Sequence, residues 1–172
     1  LKNFRISKLN QKIEFLKKFG VDFIIVKKFD KKFSKMKSKS FIENILGKKL
    51  KPKFIFVSNN FKFGNRREGD VGQLIDYEKK YGYKIIKPEP LKYQNKIASS
   101  TLVRSFLEKG YLKKANKLLK RNWTIIGKVE QGRKIGKKIG FPTCNIDIKN
   151  YVLAKPGVYA VKVNFKNFKS KI

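Results

Sequence analysis

The residues best able to do chemistry lie in one stretch, Gly127-Lys-Val-Glu-Gln-Gly132-Arg-Lys-Ile-Gly136-Lys-Lys-Ile-Gly140-Phe-Pro142-Thr143-Cys144-Asn145. Gly132, Gly136 and Gly140 recur at every fourth position. Glycine at that density weakens a helix. It suits a loop, because it tolerates positive φ and lets backbone N–H groups approach a ligand closely. With Arg133, Lys134, Lys137 and Lys138 around it, such a loop fits a polyphosphate. Pro142 stiffens the exit. Thr143 and Asn145 stand two apart, so on an extended chain they point to the same side. A hydroxyl and an amide oxygen placed together can hold Mg2+ beside phosphate, since Mg2+ takes hard oxygen ligands and keeps several waters. The same spacing also fits a basic hairpin turn followed by a polar strand.

A second candidate is Ser99-Ser100-Thr101-Leu-Val-Arg104. A helix starting here offers free N–H groups and the positive end of its dipole, both favourable to phosphate. Ser100 and Thr101 add hydroxyl donors. Arg104 follows by three and four residues, one turn up the same face. Its guanidinium can bind phosphate oxygens in a bidentate fork. A plain N-cap with a solvated arginine fits the same residues. Histidine is absent from the sequence, which removes imidazole as base, nucleophile or metal ligand.

The elements that must position these groups follow from periodicity. Leu9, Ile13, Leu16 and Phe19 recur at helical spacing, with Gly20 as a C-cap. Residues 21–26 are almost continuously apolar, as a buried parallel strand is. Residues 29–37 read as a basic loop. Ser40 and Glu43 form a capping box for a short helix that stops at Gly47. Residues 53–57 are a second buried strand, with a loop at 58–64 beyond its end, in which Phe61 and Phe63 read as core. Asp70 caps a helix ended by Gly82, and residues 83–87 are a third strand. Ser99 or Ser100 caps a helix ended by Gly110, and 112–119 form another. Strands alternating with helices imply right-handed βαβ units, a parallel sheet, and a ligand beyond the carboxyl ends of the strands. After Arg121 the pattern changes. Residues 123–129 and 158–163 read as strands joined by glycine-rich turns, the signature of a small antiparallel barrel. The boundary falls near 119–122.

Composition narrows the function classes. Apolar residues make up 41% of the 172, a globular proportion. No apolar run of about 18 residues exists, so nothing spans a membrane as a helix, and residues 1–8 do not resemble a signal peptide. A single cysteine, Cys144, excludes an intrachain disulfide and fits a cytoplasmic protein. The net charge of +32 points to nucleic acid, yet the lysines are spread over every segment, as a compositional bias would spread them. No dedicated nucleic-acid partner is expected. A basic nucleic-acid-binding protein without catalysis and a monofunctional nucleotidyltransferase are the alternatives.

Gly-x-x-x-Gly-x-x-x-Gly-Phe-Pro-Thr-x-Asn, followed by Pro156-Gly157-Val158-Tyr159, resembles the opening of the riboflavin kinase domain. Ser99-Ser100-Thr101-x-x-Arg104 is similar to the ATP-phosphate signature of FMN adenylyltransferases. Val57-Ser-Asn-Asn60-Phe-Lys-Phe63-Gly64 is similar to a third motif of that family, although Ser58 stands where glycine is usual and Ile97 where an arginine is common. The chain is thus similar to the bacterial bifunctional riboflavin kinase/FMN adenylyltransferases. The resemblance implies a Rossmann-like nucleotidyltransferase domain with a parallel sheet over 1–120, then the start of a riboflavin kinase-like antiparallel β-barrel over 121–172. It implies ATP-dependent phosphorylation of riboflavin to FMN and adenylylation of FMN to FAD, with Mg2+ and no membrane partner. Asn60, Ser100, Thr101, Arg104, Gly132, Gly136 and Gly140 would bind ATP, and Thr143 and Asn145 would bind Mg2+. The family's histidine loop and its kinase glutamate have no counterpart in this sequence, so it reads as an internal fragment with both catalytic sites incomplete.

Overall fold

The computed structural model describes residues 4–165; residues 1–3 and 166–172, the outer ends of the two expected domains, lie outside the described residues. The elements begin with α1 (Leu9–Lys18), α2 (Lys31–Ser34), α3 (Ser38–Ser40), a π-helical stretch (Phe41–Leu50) and β1 (Phe54–Phe56). A 3-10 turn (Asn65–Arg67), α4 (Val71–Asp76), α5 (Glu78–Tyr81), β2 (Lys84–Ile86), β3 (Lys92–Tyr93) and β4 (Lys96–Ile97) follow. Then come α6 (Ser100–Glu108), α7 (Leu112–Leu119), β5 (Val129–Glu130), α8 (Ile135–Lys138) and β6 (Asn145–Ile146). They form two compact units, Phe19–Ile97 and a second made of Leu1–Lys18 with Ala98–Ile172.

In the Phe19–Ile97 unit, β1 and β2 pair in parallel with Ile55 opposite Ile85. Side chains alternate along a strand. Ile55 and Ile85 therefore pack against Ile42, Leu46, Phe63 and Leu74, while Phe54 and Phe56 remain exposed. The helix before β1 differs from the sequence expectation at both ends. It starts at Ser38, whose N–H donates to Glu68 Oε1 at 2.7 Å, and Ser40 makes no cap. A free N–H at a helix start takes the nearest acceptor, and a carboxylate from another loop outcompetes the local box. The helix also runs through Gly47 to Leu50. The Tyr81 ring lies 2.5 Å from where a Gly47 Cβ would sit, so this glycine gives room for an aromatic ring rather than a stop.

Two further expectations are corrected here. Residues 29–37 contain a capped turn, α2, whose Phe33 N–H donates to Asp30 Oδ1 at 2.7 Å. Residues 21–26 are not a buried strand. They carry no ladder bonds, and Phe23 is 89% exposed. Apolar content alone does not make a strand, because its backbone groups need a partner, and β1 and β2 pair with each other. The short β3–β4 hairpin was not anticipated from the sequence.

The single helix expected from Asp70 to Gly82 is broken at Tyr77 into α4 and α5, while its cap and its glycine end stand as expected. Asp70 caps α4, its Oδ1 accepting from Gln73 N at 3.0 Å. That bond and the ammonium of Lys62 hold its carboxyl below the usual range. Tyr83 is buried and its hydroxyl donates to Leu74 O at 2.8 Å. Burial pushes its phenol up to about 12.

In the other unit, α6 and α7 enclose a core of Val103, Leu107, Ala115 and Val152, with Ile6 and Trp123 against it. Ser99 caps α6, its Oγ accepting from Leu102 N at 3.2 Å. β5 and β6 are antiparallel, with Val129 opposite Ile146 and Glu130 opposite Asn145. The expected strand over 123–129 shrinks to Val129–Glu130. Its first half is bound by side chains instead: Trp123 N donates to Asn116 Oδ1 at 2.7 Å, and Ile126 N to the Tyr151 hydroxyl at 3.0 Å. No strand forms over 158–163, where Val158 is fully exposed.

Candidate functional site

The glycine-rich segment folds as a hairpin, β5–β6, whose connection holds α8 and residues 141–144. A single helical turn with Gly136 inside it replaces the expected open loop. Lys134 enters it at φ 57° and Gly140 leaves it at φ 82°. The three glycines serve different ends. A Cβ at Gly132 would collide with Asn145 Nδ2, and one at Gly136 would collide with Phe141 O and crowd the Thr143 methyl at 3.0 Å. Gly140 faces open space and is needed for its left-handed φ, which side chains disfavour.

Between the two arms lies an open cavity of about 480 Å³. Gly132, Gly136, Thr143 and Asn145 line it, so four of the expected site residues come together. Gly140 is not in its wall. Arg133 and Lys134 line the cavity, whereas Lys137 and Lys138 do not. Glu130 was not anticipated from the sequence. It also lines the cavity and is the cross-strand partner of Asn145, so the two share a face. Only the hairpin register could have revealed it. Glu130, Thr143 and Asn145 form an all-oxygen donor set, the ligand chemistry that Mg2+ takes. Among the described residues no three His, Cys, Asp or Glu side chains gather to hold a metal. A cation here would thus depend on phosphate oxygens and water as well.

At α6, Ser100 and Thr101 occupy the first turn and are exposed. Ser99, not Ser100, makes the cap. Arg104 is partly buried, and its Nε–H donates to the Phe4 carbonyl at 2.7 Å.

In the Phe19–Ile97 unit, Asn60 is exposed on a tight turn, its Oδ1 accepting from Ser58 Oγ at 3.0 Å. Phe63 is buried, as expected of core, and Phe61 stacks on it with ring centroids 5.6 Å apart. The row of rings continues through Phe41, Phe33 and Phe29 at 5.5, 6.4 and 5.8 Å. Phe63, Phe41, Phe33 and Phe29 also wall a cavity of about 310 Å³, with Lys62 and Arg67 in its lining. The sequence gives little sign of it, since the rings come from three separate segments.

A family model described as FAD synthetase matches residues 1–102, the larger part of the chain. The chain belongs to the FAD synthetase family. A second model, riboflavin kinase, matches residues 119–171 of this FAD synthetase family member and takes in the hairpin cavity. Several curated relatives are named bifunctional riboflavin kinase/FMN adenylyltransferase. That of Buchnera aphidicola subsp. Schizaphis graminum is 38% identical over 161 residues, 93% of this chain and 52% of the relative. That of Haemophilus influenzae is 37% identical over 163 residues, 95% and 53%. The Escherichia coli K12 protein is 36% identical over 159 residues, 92% and 51%. The chain spans about half the length of the curated relatives it matches. A solved structure described as a macrolide-efflux protein from Streptococcus pneumoniae superposes with a TM-score of 0.76 at 25% identity, over 90% of this chain and 49% of that one. Among the described residues no helix is long and apolar enough to cross a membrane.

Proposed function

We propose that this chain handles nucleotide and flavin in two reactions: riboflavin and ATP giving FMN and ADP, and FMN and ATP giving FAD and pyrophosphate. The hairpin is read as the start of a riboflavin kinase barrel and the β1–β2 pair as part of a Rossmann-like nucleotidyltransferase sheet, with the division near residue 120 and a cytoplasmic setting. The observation that carries the reading is the hairpin cavity, where Thr143, Asn145 and Glu130 meet Arg133 and Lys134. A cavity lined by both hard oxygens and cations suits a magnesium-bound polyphosphate.

In the kinase reaction Arg133 and Lys134 would neutralise phosphate charge, and Gly132 and Gly136, whose missing side chains leave room for Asn145 and for Phe141, would line the nucleotide site. Thr143 and Asn145 would hold Mg2+, which would offset the negative charge of the phosphates. In the adenylyl-transfer reaction Ser100, Thr101 and Arg104 would hold ATP phosphates, with Asn60 on the nucleotide. The phenylalanine-walled cavity fits the planar ring of a flavin, with Lys62 and Arg67 available to its phosphate.

Flavin fluorescence tests this reading. Stacking against the rings should quench FMN saturably on addition of the chain, and Phe33→Ala should weaken the binding. The absence of saturable quenching with the unmutated chain would contradict the assignment of flavin to this unit.

A further inference from the structure

The hairpin that bears Thr143 and Asn145 is held at both ends by one short segment near the start of the chain. On the segment leading into β5, Gln11 Nε2 donates to Thr124 O at 2.9 Å, and Lys8 Nζ donates to Ile126 O at 3.2 Å. On the segment leaving β6, Arg5 N donates to Asn150 O and Val152 N donates to Arg5 O, both at 2.9 Å. Tyr151 joins the two sides. It is fully buried, its hydroxyl donates to Gln11 Oε1 at 2.6 Å, and it accepts from Ile126 N at 3.0 Å. Gln11 is 3% exposed, and its Oε1 also accepts from Lys8 N at 2.9 Å.

These bonds engage both polar atoms of the Gln11 amide and the Tyr151 hydroxyl. The Gln11 amide gives one proton to the incoming strand and takes two from Tyr151 and Lys8. A buried amide satisfied in this way is rigid, and losing one partner strands the others without water. From the clamp to the site the path is short. Ile126 precedes Gly127, whose missing Cβ lets Asp147 O approach. Asp147 N donates to Lys128 O at 3.1 Å, and the next cross-strand pairs are Val129 with Ile146 and Glu130 with Asn145.

We infer that Gln11 and Tyr151 are positioning residues of the hairpin site: they set the spacing of its two arms and so the separation of Glu130, Thr143 and Asn145 from Arg133 and Lys134. The inference rests on the proposed nucleotide site for its functional consequence, and on the hydrogen bonds alone for its structural one. It makes the first helix, which lies in the FAD synthetase match, a working part of the riboflavin kinase match.

The test uses the 172-residue chain with Gln11→Met, which keeps length and removes both polar atoms, and Tyr151→Phe, which keeps the ring. Amide hydrogen exchange and Mg2+–ATP titration are followed together. Exchange at 128–130 and 145–147 should rise by about tenfold or more in each variant, while 54–56 and 84–86 remain unchanged. The affinity for Mg2+–ATP should fall by about tenfold, the usual scale for losing a supporting hydrogen bond behind a ligand shell. Tyr151→Phe serves if Gln11→Met fails to fold. Unchanged exchange in the hairpin overturns the inference, as does equal acceleration in both units. If the unmutated chain does not bind Mg2+–ATP, the nucleotide reading fails by itself, and the exchange pattern still decides whether Gln11 and Tyr151 hold the hairpin.

Discussion

Arg104 and Phe4 are joined by a hydrogen bond of 2.7 Å from the guanidinium Nε–H to the backbone carbonyl. The side chain is thereby fixed on one edge before any ligand arrives. A guanidinium held on one edge loses little further entropy when its other edge meets a phosphate.

Arg104→Ala should therefore weaken ATP binding by about 1.5–3 kcal/mol, the scale of a charge-assisted bond. Arg104→Lys should recover only part, since a point charge reproduces neither the Nε contact nor the fork. Calorimetric titration read beside the melting temperature separates the roles. A purely structural arginine would lower the melting temperature in both variants and leave ATP affinity unchanged.

Tyr83 predicts an alkaline weakness. Burial raises its folded pKa to about 12, above the unfolded phenol near 10. The unfolded chain then releases the proton first, so the contribution is whole below about pH 10 and is lost as pH rises toward 12. Tyr83→Phe should remove this part of the alkaline decline. At neutral pH it should destabilise the Phe19–Ile97 unit by about 1 kcal/mol through the lost bond to Leu74 O. Urea midpoints for both proteins at pH 7, 10 and 11.5 provide the comparison. Parallel declines would show that the phenol titrates freely.

Gly64 adopts φ 77°, and a Cβ there would stand 2.7 Å from Ser38 N. Gly64→Ala should cost about 1–3 kcal/mol, from strained backbone and displacement of the helix start. Because Gly64 also lines the phenylalanine cavity, FMN quenching should weaken in the same variant. An unchanged urea midpoint would mean the turn relaxes without strain.

The caps at Asp70 and Ser99 and the reversals at Gly82 and Gly110 were legible in the sequence because their causes are local, whereas the expected Ser40 cap lost to the distant Glu68. Asp70, Ser99, Gly82 and Gly110 act on neighbours within a few residues, and each stands where its residue type indicates. The Gly132–Asn145 cluster was legible for the same reason. What escaped depends on distant partners. Gly47 ends no helix because Tyr81 occupies the space beside it. Glu130 joins the site through a cross-strand register. Residues 21–26 stay unpaired because strand formation requires a neighbour that composition cannot supply. The bonds from Gln11 to Thr124 and Tyr151 link positions 113 and 140 residues apart, beyond the reach of any periodic pattern.

The central claim is that Thr143 and Asn145 form a magnesium-dependent nucleotide site, and Thr143→Val tests it most directly. Valine keeps the branched shape and the extended preference, and Thr143 is exposed, so stability should not change. The measurement is calorimetric titration of ATP into the unmutated chain and into Thr143→Val, each with Mg2+ and with the metal chelated. The account predicts that the unmutated chain has an ATP-binding step that requires Mg2+, separate from the step that Arg104→Ala weakens. It also predicts that Thr143→Val loses at least about tenfold in affinity, roughly 1.4 kcal/mol, at an unchanged melting temperature. Equal affinity for that step in the two proteins, or no Mg2+-dependent step in the unmutated chain, would contradict it.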